Sequence, residues 1–186
     1  MKTQFTLIIL FIVGIMGCSS YRIVRNQGDK STNWTTYRTF AFIDTTRIDP
    51  TPSAAYQAAI AQVERAVGTE LTRRGYQQLA SNQPASQSDL LVNIGVVVSE
   101  KTQTRQTTIY EAPRYIGQRR YHWQSQDVPV STYKEGTISL HIVDVKQNAL
   151  IWDAAVAGVL GKKGATSEQI NEAVDKAFTR FPGNRK

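Results

Sequence analysis

Hydrophobic and polar positions recur with two different periods along this chain, and the switches between them mark out its elements. Phe5 through Met16 is an apolar run without a charge, preceded by Lys2. At about 12 residues it is too short to span a bilayer, which takes roughly 20, and it has the length of a signal-peptide core. Ser19 to Asn33 is polar, holds Gly28 and Ser31, and reads as a tether to which Tyr21-Arg22-Ile23-Val24 can add a short strand. From Arg38 to Ile43 the period is two, with Phe40 and Phe42 on one side and Thr39 and Ala41 on the other.

The period then lengthens. Tyr56, Ile60, Val63, Val67 and Leu71 form one helical stripe, flanked by Ala59 and Ala66. Thr51 or Ser53 can cap this helix, Pro52 suits its first turn, and Gly75 suits its end. Ser81 to Ser88 is a polar loop. Asp89 to Ser99 carries the strongest strand pattern, with Leu90, Val92, Ile94, Val96 and Val98 on one face and Leu91, Asn93 and Val97 on the other. Lys101 to Ile109 alternates Thr, Gln and Arg and predicts a solvent-facing arm of a hairpin.

Gly136 to Val145 and Ala149 to Val159 predict a hairpin. Ile138, Leu140 and Ile142 point inward on the first strand, and Leu150, Trp152, Ala154 and Val156 on the second. Asp144 and Asn148 are placed to bond the turn amides. Thr166-Ser167-Glu168-Gln169 is a capping-box pattern opening a last helix, with Ile170, Ala173, Val174, Ala177, Phe178 and Phe181 as its stripe and Pro182-Gly183 as its stop. Two amphipathic helices need an apolar surface to cover, and an antiparallel sheet offers one. The expected fold is α+β, a two-layer sandwich with a mainly antiparallel sheet of four to five strands and two helices on one face.

The apolar run closes on Ile15-Met16-Gly17-Cys18, and Cys18 is the only cysteine of the 186 residues. This ending resembles the bacterial lipobox. The resemblance implies cleavage before Cys18, a diacylglyceryl group on its thiol, and acylation of the new N-terminal amine. An ordinary secretory leader whose cleavage site happens to precede a cysteine is the alternative. A single cysteine excludes an intramolecular disulfide, and a free thiol in an exported protein would be a reactive liability that lipidation removes. Ser19, in place of an Asp, fits the periplasmic face of the outer membrane. The expected organisation is a leader over 1–17, a lipidated tether over 18–33 and one domain over 34–186.

Composition adds a basic excess, net +7, within an ordinary globular balance of 41% hydrophobic and 20% charged residues. Anionic neighbours such as lipid headgroups or polysaccharide phosphates suit that excess. A solvated basic surface explains it equally well. Nucleic acid suits it too, but an exported protein rarely meets it, and no nucleic-acid partner is expected.

Several short motifs recur in a fixed order: Tyr37-Arg38-Thr39-Phe40-Ala41-Phe42, Arg74-Gly75-Tyr76, Asp89-Leu90-Leu91-Val92 and Gly136-Thr137-Ile138-Ser139-Leu140. Val143-Asp144 before Leu150-Ile151-Trp152, and Ala173-Val174 before Phe181-Pro182, continue the series. In this order they resemble the domain-of-unknown-function 4136 family of bacterial lipoproteins. The resemblance implies an α+β layout and a lipid anchor, and it brings no catalytic residue.

Candidate chemistry is sparse. His122 and His141 have no metal-ligand spacing around them, and no nucleophile elbow or phosphate loop appears. Gly158, Gly161 and Gly164 around Lys162-Lys163 suit an anion at a helix start, or simply a flexible link. Tyr110 to Trp123 is the most unusual stretch, because Tyr110, Tyr115, Tyr121 and Trp123 interleave with Arg114, Arg119 and Arg120. Rings beside guanidinium groups suit protein hot spots or anionic glycans, and equally a β-arm packed on its own sheet edge. The candidate binding residues are Arg114, Arg119, Arg120, Tyr121 and Trp123, with Cys18 as the lipidation site. The expected function is a non-catalytic binding or structural role in the cell envelope, engaging an envelope protein or an anionic glycan. No cofactor or metal is implied. The alternative is a carrier holding a small hydrophobic ligand between sheet and helices, where alanines leave room.

Overall fold

A computed structural model describes residues 21–43, 53–80, 82–111, 124–162 and 164–183. In chain order the elements are β1 (Tyr21–Gly28), β2 (Thr39–Phe42), α1 (Ala54–Arg73), β3 (Gln77–Gln78), β4 (Leu90–Gln106), β5 (Asp127–Asp144), β6 (Ala149–Leu160) and α2 (Ser167–Phe178). One sheet collects all six strands in the order β1-β6-β5-β4-β2-β3. β2 runs parallel to β3 and β4, and the other pairings are antiparallel. The expected α+β class is correct. The sheet has six strands and is mixed, where four to five mainly antiparallel strands were expected.

The two added strands have little apolar signal of their own. β1 lies in the stretch read as a tether and pairs with β6 along its whole length. Asn26 secures it: its side-chain amide donates to the Ala177 carbonyl at 2.7 Å and accepts from the Trp152 indole at 3.2 Å. The packed region therefore begins before Trp34. β3 is only Gln77-Gln78, paired with β2 through the backbone, with the Gln78 side chain beside Gly68 of α1. The parallel placement of β2 requires a crossover, which α1 provides.

α1 packs against α2 and over β4, while α2 lies over β6 and β1. Phe40, Leu90, Val92, Ile94, Leu140, Ile142, Trp152, Ala154 and Val156 meet Ile60, Val63, Val67, Leu71, Val174 and Phe178 in one core. Three of the predicted helix ends are present, whereas α2 ends at Phe178, short of the expected stop at Pro182-Gly183. The Ser53 hydroxyl accepts from the Tyr56 amide, Gly75 takes a φ of 91°, and Thr166 and Gln169 form a reciprocal capping box. Caps of this kind contribute about 1 kcal/mol each.

Two inward positions differ from expectation. Phe181 lies beyond α2, yet it is buried against Trp34 and Trp152 with centroids 4.9 Å apart in each case. Leu150 is 54% exposed, because an extra residue between the pairs Ile142↔Trp152 and Val143↔Leu150 puts Ile151 into the core instead.

Two carboxylates fasten the start of β4 and the end of β5. Asp89 accepts from the amides of Arg38 and Thr39 and from the Thr39 hydroxyl, at 2.8–3.1 Å. Asp144 accepts from the Tyr37 hydroxyl at 2.7 Å and from the amides of Lys146 and Gln147. Burial works against ionisation of both, but these donors outweigh it and hold both below the usual carboxylate range. Burial and then the bond to Asp144 push the Tyr37 phenol up to about 12.

Gly183 is tightly packed, since an added Cβ would come within 2.7 Å of Tyr76, Phe181 and Trp34 atoms. Gly183→Ala is therefore expected to cost about 1–3 kcal/mol through overpacking. Thermal melts should fall by several degrees, and an unchanged midpoint would show that this end does not pack as described.

Candidate functional site

Cys18, Arg114, Arg119, Arg120, Tyr121, Trp123 and His122 lie outside the described residues. What the structure does describe is the arm that carries the basic aromatic stretch. β6 stops pairing at Lys134↔Leu160, beyond which β4 and β5 continue as a two-stranded ribbon to Gln106↔Asp127. Thr107 and Gln126 close the described end through bonds of 2.9 and 3.0 Å. Arg105 pairs with Glu111 at 2.8 Å. Tyr110 is 95% exposed. The solvent-facing arm is as expected from Lys101 onward.

Between the sheet and the helices lies an apolar cavity of about 380 Å³. Ala55, Ala58 and Ala59 of α1 and Ala173 of α2 line it on the helical side. Val96, Val98, Ile138 and Val156 line the sheet side, together with Gly136 and Gly158. The space follows from residue size, since alanines on the helices and glycines in the sheet leave volume that larger side chains would fill. Its size falls within the range of small-ligand sites. Tyr21 closes one wall, its ring seated on Gly158 so closely that a Cβ there would collide with it. The described lining carries side-chain polar groups only at Tyr21, Gln62, Thr137 and Gln169, and no charge.

Two polar clusters were not foreseen. On the sheet face away from the helices, Arg25 Nε pairs with Asp153 Oδ2 at 2.8 Å. His141 Nε2 lies 3.4 Å from Asp153 Oδ1. His141 faces outward as expected. Asp153 inside the apolar run Leu150–Val159 was the available signal, because a carboxylate there demands a partner. The second cluster joins the helices. Glu70 is buried and pairs with Arg73 at 2.6 Å and with Arg74. Arg74 also donates to the Phe178 carbonyl and lies 4.9 Å above the Phe178 ring. Glu70, three residues after Val67, falls on the flank of the helical stripe, a signal available in the sequence. Among the described residues no group of three or more His, Cys, Asp or Glu could hold a metal. Nor is any described helix long and apolar enough to cross a membrane.

The sequence matches the model of a known family, a domain of unknown function (DUF4136), over residues 24–183. The chain belongs to the DUF4136 family. No curated protein matches it in sequence. Among solved structures, this DUF4136 domain is similar to a PDZ domain protein from Parabacteroides distasonis, with a TM-score of 0.56 at 12% identity. That match covers 98% of this chain but 41% of the other, and it speaks to fold alone. Two PelC dodecamer structures from Paraburkholderia phytofirmans give TM-scores of 0.47 and 0.48 at 9% and 11% identity, each covering 89% of this chain and 99% of theirs.

In the DUF4136 domain described here, Asp175 faces Glu70 across the helix pair. Lost hydration first, then the charge and hydrogen bond of Glu70, raise the Asp175 carboxyl, against the pull of Arg73 and Arg74. A raised carboxyl favours the fold while protonated, and that contribution is lost as pH rises through its folded value. Asp175→Asn should therefore raise the thermal midpoint at neutral pH. The gain should close as pH falls below the ordinary value of 3.8. A gain that persists in acid would show that the carboxyl pair is not its source.

Proposed function

We propose that this chain is a lipid-anchored, non-catalytic binding protein of the bacterial cell envelope. Acyl chains on Cys18 hold it at the periplasmic face of the outer membrane, and the cavity between sheet and helices takes a small hydrophobic ligand. The observation that carries the reading is that cavity, lined by alanines from both helices and by two sheet glycines. An apolar space with few polar groups and no charge suits a hydrocarbon chain or ring better than an ion. The lipobox resemblance at Ile15-Met16-Gly17-Cys18 supports the anchor. Two or more acyl chains suffice to anchor a protein stably.

A second reading is favoured by the arm. A long two-stranded ribbon bearing a basic aromatic stretch suits an envelope protein or an anionic glycan. Cross-linked partners that stay the same in R119A/R120A/W123A would dismiss it.

Mass analysis of the protein from native cells should find the leader removed and Cys18 carrying fatty chains; an unmodified residue 18 would overturn the anchor. For the cavity, a Cys18→Ser protein exported on an ordinary cleavable leader should take up the uncharged fluorophore N-phenyl-1-naphthylamine. Ala59→Trp in that background should cut uptake about tenfold or more, with circular dichroism unchanged. No uptake by the Cys18→Ser protein would end the carrier reading.

A further inference from the structure

The cavity sits at one end of the sheet, and the register shows which end. Val98, Gly136, Gly158 and Tyr21 are successive partners across β4, β5, β6 and β1. All four line the cavity. Tyr21 is also the first described residue of β1, and it stands at the cavity wall. Cys18 precedes Tyr21 by three residues, and three residues of chain span at most roughly 11 Å. A group attached to the Cys18 sulfur is thus confined to the neighbourhood of this cavity.

The chemistry of the lining narrows the occupant. The cavity opens to water at Ala55, Ala58, Val98 and Val159, so an occupant such as a free fatty acid or a phospholipid must keep its charged end in solvent or find a partner for it in the lining. The described lining offers alanine, valine, glycine, leucine and isoleucine with four neutral polar side chains, those of Tyr21, Gln62, Thr137 and Gln169, and no cation. An acyl chain whose polar end is held outside, by a covalent bond to the protein itself, needs no such partner. A methylene gains about as much in an apolar cavity as in a bilayer, so leaving the membrane for the cavity costs such a chain little. A diacylglyceryl group plus an acylated amine brings more chains than stable anchoring requires, so withdrawing one leaves the anchor in place.

We infer that the cavity lined by Tyr21, Ala58, Ala59, Val98, Gly158 and Ala173 is the receptor for one of the acyl chains on the chain's own Cys18. The inference rests on the lipid anchor and on the cavity as a hydrophobic site. The ligand is a saturated or mono-unsaturated hydrocarbon chain, and its binding is intramolecular. Its effective concentration is therefore set by the short connection to Tyr21 and not by free lipid. A chain withdrawn in this way adjusts how firmly the protein holds the membrane.

The test uses the mature lipoprotein from cells fed a diazirine-bearing fatty acid, purified in mild detergent and irradiated. Peptide mapping is expected to find the Cys18 acyl chain cross-linked within the same polypeptide, to the Ala55–Val63 segment of α1 or to the Gly158–Ala173 region. The acylated protein should also take up N-phenyl-1-naphthylamine about tenfold less than the Cys18→Ser protein. Cross-links to phospholipid or detergent alone, or equal uptake by the two proteins, would overturn the inference. Equal, strong uptake would leave the cavity standing as a site for another ligand. Absence of uptake by both, without an internal cross-link, would remove the cavity reading as well.

Discussion

Trp152 is the point through which the two layers are joined. Its ring, 1% exposed, lies 5.2 Å from that of Phe178 and 4.9 Å from that of Phe181. Its indole N–H reaches Asn26 on the edge strand. One side chain thus connects β6, α2, the chain beyond α2 and β1. An aromatic of this size contributes several kcal/mol when buried, and its polar edge must find an acceptor. Asn26 supplies that acceptor and at the same time bonds the last turn of α2. The edge strand is therefore held by side-chain chemistry as well as by its ladder, and the sheet gains an edge strand from a stretch with few apolar residues.

Much of the fold could be read from side-chain periodicity. Ser53, Thr166 with Gln169, and Gly75 mark helix limits by mechanisms that act locally, so their pattern is visible locally. The faces of β4, β5 and most of β6 follow from alternation. The exceptions have physical causes. β3 is held by main-chain bonds that any residue can make, so Gln77-Gln78 carries no pattern. The slip at Ile151 inserts one residue, which reverses the inward side before Trp152 and exposes Leu150. Whether β2 runs parallel or antiparallel to β4 depends on where the crossover passes, which strand composition does not encode.

The candidate site was legible only as a tendency. Alanines on both helices suggested spare room, and the cavity lies where Ala55, Ala58, Ala59 and Ala173 meet the sheet. Its other wall depends on Gly136 and Gly158 falling side by side on neighbouring strands, a fact of register and not of sequence. The charged clusters were hidden for a related reason. Arg25 and Asp153, like Glu70 and Asp175, are far apart along the chain and meet only after folding. An isolated charge in an apolar stripe signals that a partner exists without naming it.

The row Val98, Gly136, Gly158 and Tyr21 also fixes a direction. From that row the arm continues for the eight residues Ser99–Gln106, a contour of roughly 27 Å at strand rise. The three residues from Tyr21 back to Cys18 reach at most about 11 Å from the same row. Tyr21 and the root of the ribbon thus share one end of the sheet, so anything that comes close to Tyr21 also comes within the sweep of the ribbon.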